Sequence, residues 1–136
     1  AGTDVGANTV TLTATDANGN SNTCTATVTV EDTISPDMLC NDLTIQLSAG
    51  GTNAITVDQI DGGSSDACGI SSLAIDDSTF DCTEVGANTV TLTATDANGN
   101  SNTCTATVTV EDTIPPFRKP FARILQYNWE LMVRLR

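Results

Sequence analysis

Three oxygen-bearing side chains alternate around a glycine in Asp96, Asn98 and Asn100, and the same run recurs as Asp16, Asn18 and Asn20. Oxygen donors spaced this way in a tight loop are what a hard cation such as calcium takes. The same letters also spell a metal-free hairpin turn, because Asn-Gly suits a two-residue loop and flanking Asp and Asn side chains cap it. Glu111 and Asp112 form a second candidate, a cation bridge between adjacent modules, with an uncomplexed acidic linker as the alternative. Calcium is therefore the one cofactor these residues suggest.

The chain has five cysteines, no histidine and no C-x-x-C pair. An imidazole base or imidazole zinc ligand is excluded, and disulfides are the expected use of the thiols. Carboxylates scattered over turns, without Lys or His beside them, provide neither an activated nucleophile nor an acid/base pair, so no enzyme is expected. Disulfides imply an oxidising compartment and hence a secreted or cell-surface location. No run approaches the roughly 20 apolar residues of a membrane span, and Ala1 does not begin a signal peptide, so an export signal is expected outside these residues.

Charge is divided sharply. All five basic residues lie beyond Pro116, whereas of seventeen carboxylates only Glu130 does. An acidic body without Arg or Lys repels phosphate backbones, so nucleic-acid binding is set aside. Such a surface repels itself, and salt or divalent cations would relieve that repulsion.

The elements that hold these residues follow from an internal duplication: residues 5–34 recur letter for letter at 85–114. A long identical period marks a tandem array of domain-sized units. Residues 1–31 read as the last hairpin of a preceding repeat, 32–112 as one complete repeat, and 113–136 as a linker and a basic, aromatic tail. Val90, Leu92 and Ala94 alternate with threonines, and after the Asn98-Gly99 turn Cys104, Ala106, Val108 and Val110 do the same, which predicts a β-hairpin. Leu43, Ile45 and Leu47, then a turn at Ala49-Gly50-Gly51, then Ile55 and Val57 predict a second hairpin. Ile70, Leu73 and Ile75 predict a short strand, Phe80 a core plug, and no segment of the repeat reads as a helix. The expected fold is all-β, an immunoglobulin-like antiparallel β-sandwich with a thin core, within a tandem-repeat fragment.

The ending VGANTVTLTATDANGNSNTCTATVTVEDTIPP, with CNDLTIQL and GSSDACGI upstream, resembles the hyalin (HYR-type) repeat in the version carried by large surface proteins of Bacteroidetes-type bacteria. The resemblance covers residues 1–116 and implies an extracellular immunoglobulin-like module, arranged in tandem, serving as stalk or adhesion unit. Asn41 stands where the family often has proline after its first cysteine. Four cysteines in the complete repeat allow three connectivities. Cys40 with Cys104 and Cys68 with Cys82 are favoured, because first and last strands of such sandwiches run together and the other pair would clip the middle segment. Cys24, the copy of Cys104, is left unpaired or competes for Cys40. Either identical hairpin could then complete the sandwich, by exchange or swapping, unless the first is simply an orphan end.

The function expected from these readings is a non-catalytic spacer or surface adhesin segment whose partners are neighbouring repeats. Alternatives are a calcium-dependent module binding a glycan or protein ligand, and an accessory domain of a secreted enzyme. The tail from Phe117 fits an edge strand or an amphipathic helix, and a helix would provide the one expected route to membrane contact.

Overall fold

The computed structural model describes residues 4–116. The strand or helix expected in the tail lies outside the described residues.

Alternating β-branched residues produce the two longest ladders. Strand β1 (Gly6–Thr15) pairs antiparallel with β2 (Ser21–Val30) as a separate two-stranded sheet. The duplicate letters give β7 (Gly86–Asp96) and β8 (Ser101–Glu111) in the same register, Leu92 opposite Cys104 as Leu12 is opposite Cys24.

The second hairpin is the centre of a four-stranded sheet of order β3-β8-β7-β5. β3 (Leu43–Gln46) runs parallel to β8, placing Leu43 beside Val108 and Ile45 beside Val110. β5 (Ile70–Ile75) runs antiparallel to β7 with a bulge between Ile70 and Ser72. Two short strands, β4 (Thr52–Ala54) and β6 (Thr79–Asp81), form a small separate sheet.

Period-2 patterning puts one face of β7 and β8 inward. Val90, Leu92, Ala106, Val108 and Val110 pack with Ile45, Leu47, Ile55, Ile60 and Phe80 in one buried cluster. Phe80 fills the centre, as its position in the sequence suggests. The molecule is thus nearly all-β, with sheets packed as an immunoglobulin-like sandwich.

Two local expectations are corrected. The Ser48–Gly51 turn forms, with the Gly51 N–H donating to the Ser48 carbonyl at 2.8 Å, but it carries the chain from one sheet to the other and does not pair β3 with its successor. The strand expected through Ile55 and Val57 is instead an extended residue followed by a helical turn, α1 (Val57–Ile60). Thr56-x-x-Gln59 is a capping box: the Gln59 side chain accepts from the Thr56 backbone N–H at 2.9 Å, which ties off the first turn and drives Ile60 into the core. A further 3-10 turn spans Cys82–Glu84.

Cys40 and Cys104 are bonded, with Cα atoms 5.9 Å apart, joining the segment before β3 to the inner face of β8. The expected Cys68–Cys82 bridge is not formed. Cys68 precedes β5 at the end of β7 that holds Asp96, where Ile70 pairs with Asp96. Cys82 lies four residues before Gly86, where β7 begins, and its thiol contacts the Gly51 carbonyl at 3.5 Å. The length of β7, about 33 Å for ten steps, separates those two ends. A disulfide requires Cα atoms within about 7 Å.

Candidate functional site

Interest centres on the end of the sandwich where the β7–β8 turn meets the incoming chain. Asp96 is the buried charged residue of the described region, 2 % exposed. One carboxylate oxygen accepts the backbone N–H groups of Asn98 and Asn100, each at 2.8 Å, and the other accepts the Asn100 side-chain amide at 2.8 Å. Gly99 takes φ +91°, the left-handed conformation this turn needs and other residues resist. Burial opposes ionisation of Asp96, but the bonds from Asn100 and Asn98 outweigh it and hold the carboxyl below its ordinary value.

The amides of this turn also reach outward. Asn98 donates to the Asp32 carboxylate at 3.0 Å, Asn100 to the Asp32 carbonyl at 3.0 Å, and Asn102 to the Pro36 carbonyl at 2.9 Å. Asp37 and Ser65 exchange backbone hydrogen bonds of 2.8 and 2.9 Å beside them. Residues 32–37, which lead out of β2, are therefore strapped across the base of the sandwich by three asparagines, of which Asn98 and Asn100 also donate their backbone N–H groups to the Asp96 carboxylate of the turn.

Asp32, Asp66 and Cys68 converge next to this strap, one ligand atom of each lying within 4.8 Å of the others. The Cys68 thiol hydrogen-bonds the Asp32 carboxylate, and that bond, then burial, then the charges of Asp32, Asp66 and Asp96 push the thiol upward, away from the reactive thiolate. Asp32 is held low by the Ile34 N–H, then by Cys68 and Asn98. Asp66 accepts the backbone N–H groups of Cys68 and Gly69 at 2.7 and 3.0 Å. A thiol is a poor calcium ligand, and two carboxylates with one thiol suit a borderline ion better.

The residues singled out for calcium do not form one cage. In Asp96, Asn98 and Asn100 the carboxylate oxygens face N–H groups and the amide nitrogens face Asp32, so the triplet is a hydrogen-bonded clasp. Asp16 repeats the inner half of that clasp with Asn18 and Asn20, at 2.9 Å for each bond. Glu111 and Asp112 sit at the opposite end of β8, where Gln46 donates to Glu111 and the Ile114 N–H donates to Asp112 at 3.0 Å. In the sequence Asp32 stands out only as the duplicate of Asp112, one of the two acids offered for a cation bridge between adjacent modules or an uncomplexed acidic linker. Its pairing with Asn98 and Asn100 spans more than sixty residues and leaves no local pattern.

A shallow groove of about 440 Å³ runs over β4 and β6, lined by Thr52, Asn53, Ala54, Thr79, Phe80 and Asp81. Its carboxylate, Asp81, is engaged by the Thr83 N–H and hydroxyl at 2.7 and 2.6 Å.

A family profile described as HYR domain matches residues 3–30 and again 31–110. A search of curated proteins gave no match.

Proposed function

The chain belongs to the HYR domain family, a family of non-catalytic repeats in extracellular, adhesion-type proteins, and from that membership we propose that it is a rigid spacer or adhesin segment of a cell-surface or secreted protein. The observation that carries this reading is the position of the two chain paths. The strap of residues 32–37 crosses the Asn98–Asn102 end of the sandwich, whereas β8 delivers the chain at Glu111, on the far end. Serial repeats built this way run head to tail, each adding the length of an eleven-residue strand, about 36 Å, plus a short strap.

The strap resists hinging because it is hydrogen-bonded to the turn, not left as a free linker. Residue 31 to residue 36 is also too short to fold back. If β2 took the place of β8 in this same sandwich, Val30 would stand where Val110 does, eight strand positions from Asn102, which holds Pro36. That is about 27 Å, against a reach of about 21 Å for six residues. Exchange within one chain would strip Pro36 and Asp37 of their partners.

Small-angle scattering from one, two and three tandem copies of residues 32–112 tests the proposal. Each added copy should lengthen the particle by about 40 Å. Growth like that of a flexible chain, with no fixed increment, refutes a rigid spacer.

A further inference from the structure

The Cys40–Cys104 bond uses two cysteines of the 32–112 repeat, and the other two stand at its opposite ends. Cys82 belongs to the exit end. Its thiol lies 3.5 Å from the carbonyl of Gly51, in the Ser48–Gly51 turn that follows Leu47, and the Leu47 N–H donates to the Glu111 carbonyl at 2.9 Å. Glu111 is the last residue of β8, where the chain leaves the sandwich. Cys68 belongs to the entry end, where its thiol donates to the carboxylate of Asp32, just beyond the last residue of β2. Cys82 is exposed and Cys68 half-buried.

The duplication sets these two ends against each other. Residues 31–34 are identical to 111–114, and Val30 pairs with Gly6 as Val110 pairs with Gly86. In a head-to-tail array Asp112 therefore enters the following repeat as Asp32 enters this one, within hydrogen-bond reach of that repeat's Cys68. Glu111 has the Cys82 turn of its own repeat on one side, and its neighbour Asp112 has the next repeat's Cys68 on the other. Two thiols that the length of β7 holds apart inside one repeat meet at the joint between two.

We infer that Cys82 of each repeat forms a disulfide with the Cys68 of the repeat that follows, a covalent tie across the joint beside the backbone; this rests on the head-to-tail reading above. At the place of Cys82 in the first copy stands Gly2, so the joint within this chain carries one thiol and Cys68 is free.

The oxidant is a small disulfide such as oxidised glutathione. The Cys82 thiolate attacks one of its sulfurs, forming a mixed disulfide and releasing one glutathione thiolate. The Cys68 thiolate then attacks the Cys82 sulfur, the bond between repeats forms and the second glutathione leaves. The two departing thiolates take up the two protons the cysteines lost. Cys82 is the capturing thiol, because its partner is held protonated by the Asp32 carboxylate. Once bonded, Cys68 gives up its hydrogen bond to Asp32, whose carboxylate keeps the Ile34 and Asn98 N–H groups.

The test inserts a second copy of residues 33–112 after Asp112 of the full chain, with Cys24→Ser to remove a competing thiol. After oxidation in a glutathione buffer, its nonreducing peptide map is compared with that of the one-repeat chain carrying the same serine. The linked Cys68–Cys82 peptide should rise at least about tenfold on insertion, because the docked ends raise the local thiol concentration. Cys82→Ser in the first copy should abolish it, and Cys82→Ser in the second should leave it unchanged. An equal yield from the one-repeat chain, or insensitivity to the first-copy substitution, overturns the inference. Scattering from the reduced protein separates this from the reading beneath it. A particle about 40 Å longer than the one-repeat chain that yields no linked peptide overturns the disulfide alone, whereas a flexible particle without it overturns the rigid spacer as well.

Discussion

Asn100 holds two acceptors with one side-chain amide: the Asp96 carboxylate of its own turn at 2.8 Å, and the carbonyl of Asp32, 68 residues earlier, at 3.0 Å. Fold and joint share a donor. Asn100→Ala leaves the buried Asp96 carboxylate with one fewer partner and should cost about 1–3 kcal/mol in thermal or denaturant unfolding. Asn98→Ala, which removes only an exposed bond to Asp32, should cost less than about 1 kcal/mol. Equal effects would show that the Asp96 clasp is not what Asn100 stabilises.

Breaking the bridge should matter far more than touching either remaining thiol of the repeat. The bond closes a separation of 64 residues, which by chain entropy contributes about 4 kcal/mol. A double Cys40→Ser, Cys104→Ser variant should lose most of that in urea unfolding. Cys82→Ser, at an exposed position, should change stability by less than about 0.5 kcal/mol.

Acid should act through specific carboxyls. Asp76 accepts the Thr91 N–H at 2.8 Å, and this bond, with a second from the Thr91 side chain, holds its carboxyl below the ordinary 3.8. A depressed folded value means that the unfolded chain takes up the proton first as pH falls. The stabilisation is complete above 3.8 and is lost below it, as pH descends through the folded value. Unfolding measured between about pH 5 and pH 2 should fall less steeply in Asp76→Asn than in the unaltered chain. Parallel slopes would remove Asp76 from the acid response.

Salt should stabilise the protein, because residues before Phe117 contain carboxylates and no Lys or Arg. Screening shortens the reach of repulsion from about 10 Å at 0.1 M to about 3 Å at 1 M, so the melting temperature should rise with sodium chloride. Calcium at matched ionic strength should add nothing through the Asp96 turn, whose oxygens already accept N–H donors. A saturable calcium response abolished by Asp66→Asn would instead place a cation beside Asp32, Asp66 and Cys68.

Much of this was legible in the letters. Alternation around Asn98-Gly99 marked the long hairpin, Phe80 read as a plug, and Cys40 with Cys104 followed from the way first and last strands of such sandwiches meet. Pattern alone could not tell which sheet a strand joins: Leu43–Gln46 has the same alternation whether it pairs with the next strand or with one 65 residues later. Thr56 and Gln59 carried a capping signal, but the apolar residues around them matched a strand equally well. Cys68 and Cys82 looked like a clip because spacing does not reveal that a full strand length divides them. Asp32 gained its role from a contact that exists only once the chain has folded.

The bridge also decides how the repeat answers a pull on its two ends. Tension entering at Asp32 and leaving at Asp112 reaches Cys40, crosses the sulfur–sulfur bond to Cys104 and continues along the last strand, so the loop between the cysteines carries no load. With 64 residues of separation and about 3.5 Å of contour per residue, roughly 220 Å of chain stays unextended in each oxidised repeat. Only the short ends outside the cysteines can pay out. Reduction would convert the same repeat from a nearly inextensible link into a shock absorber, making the local redox state the setting of its stiffness.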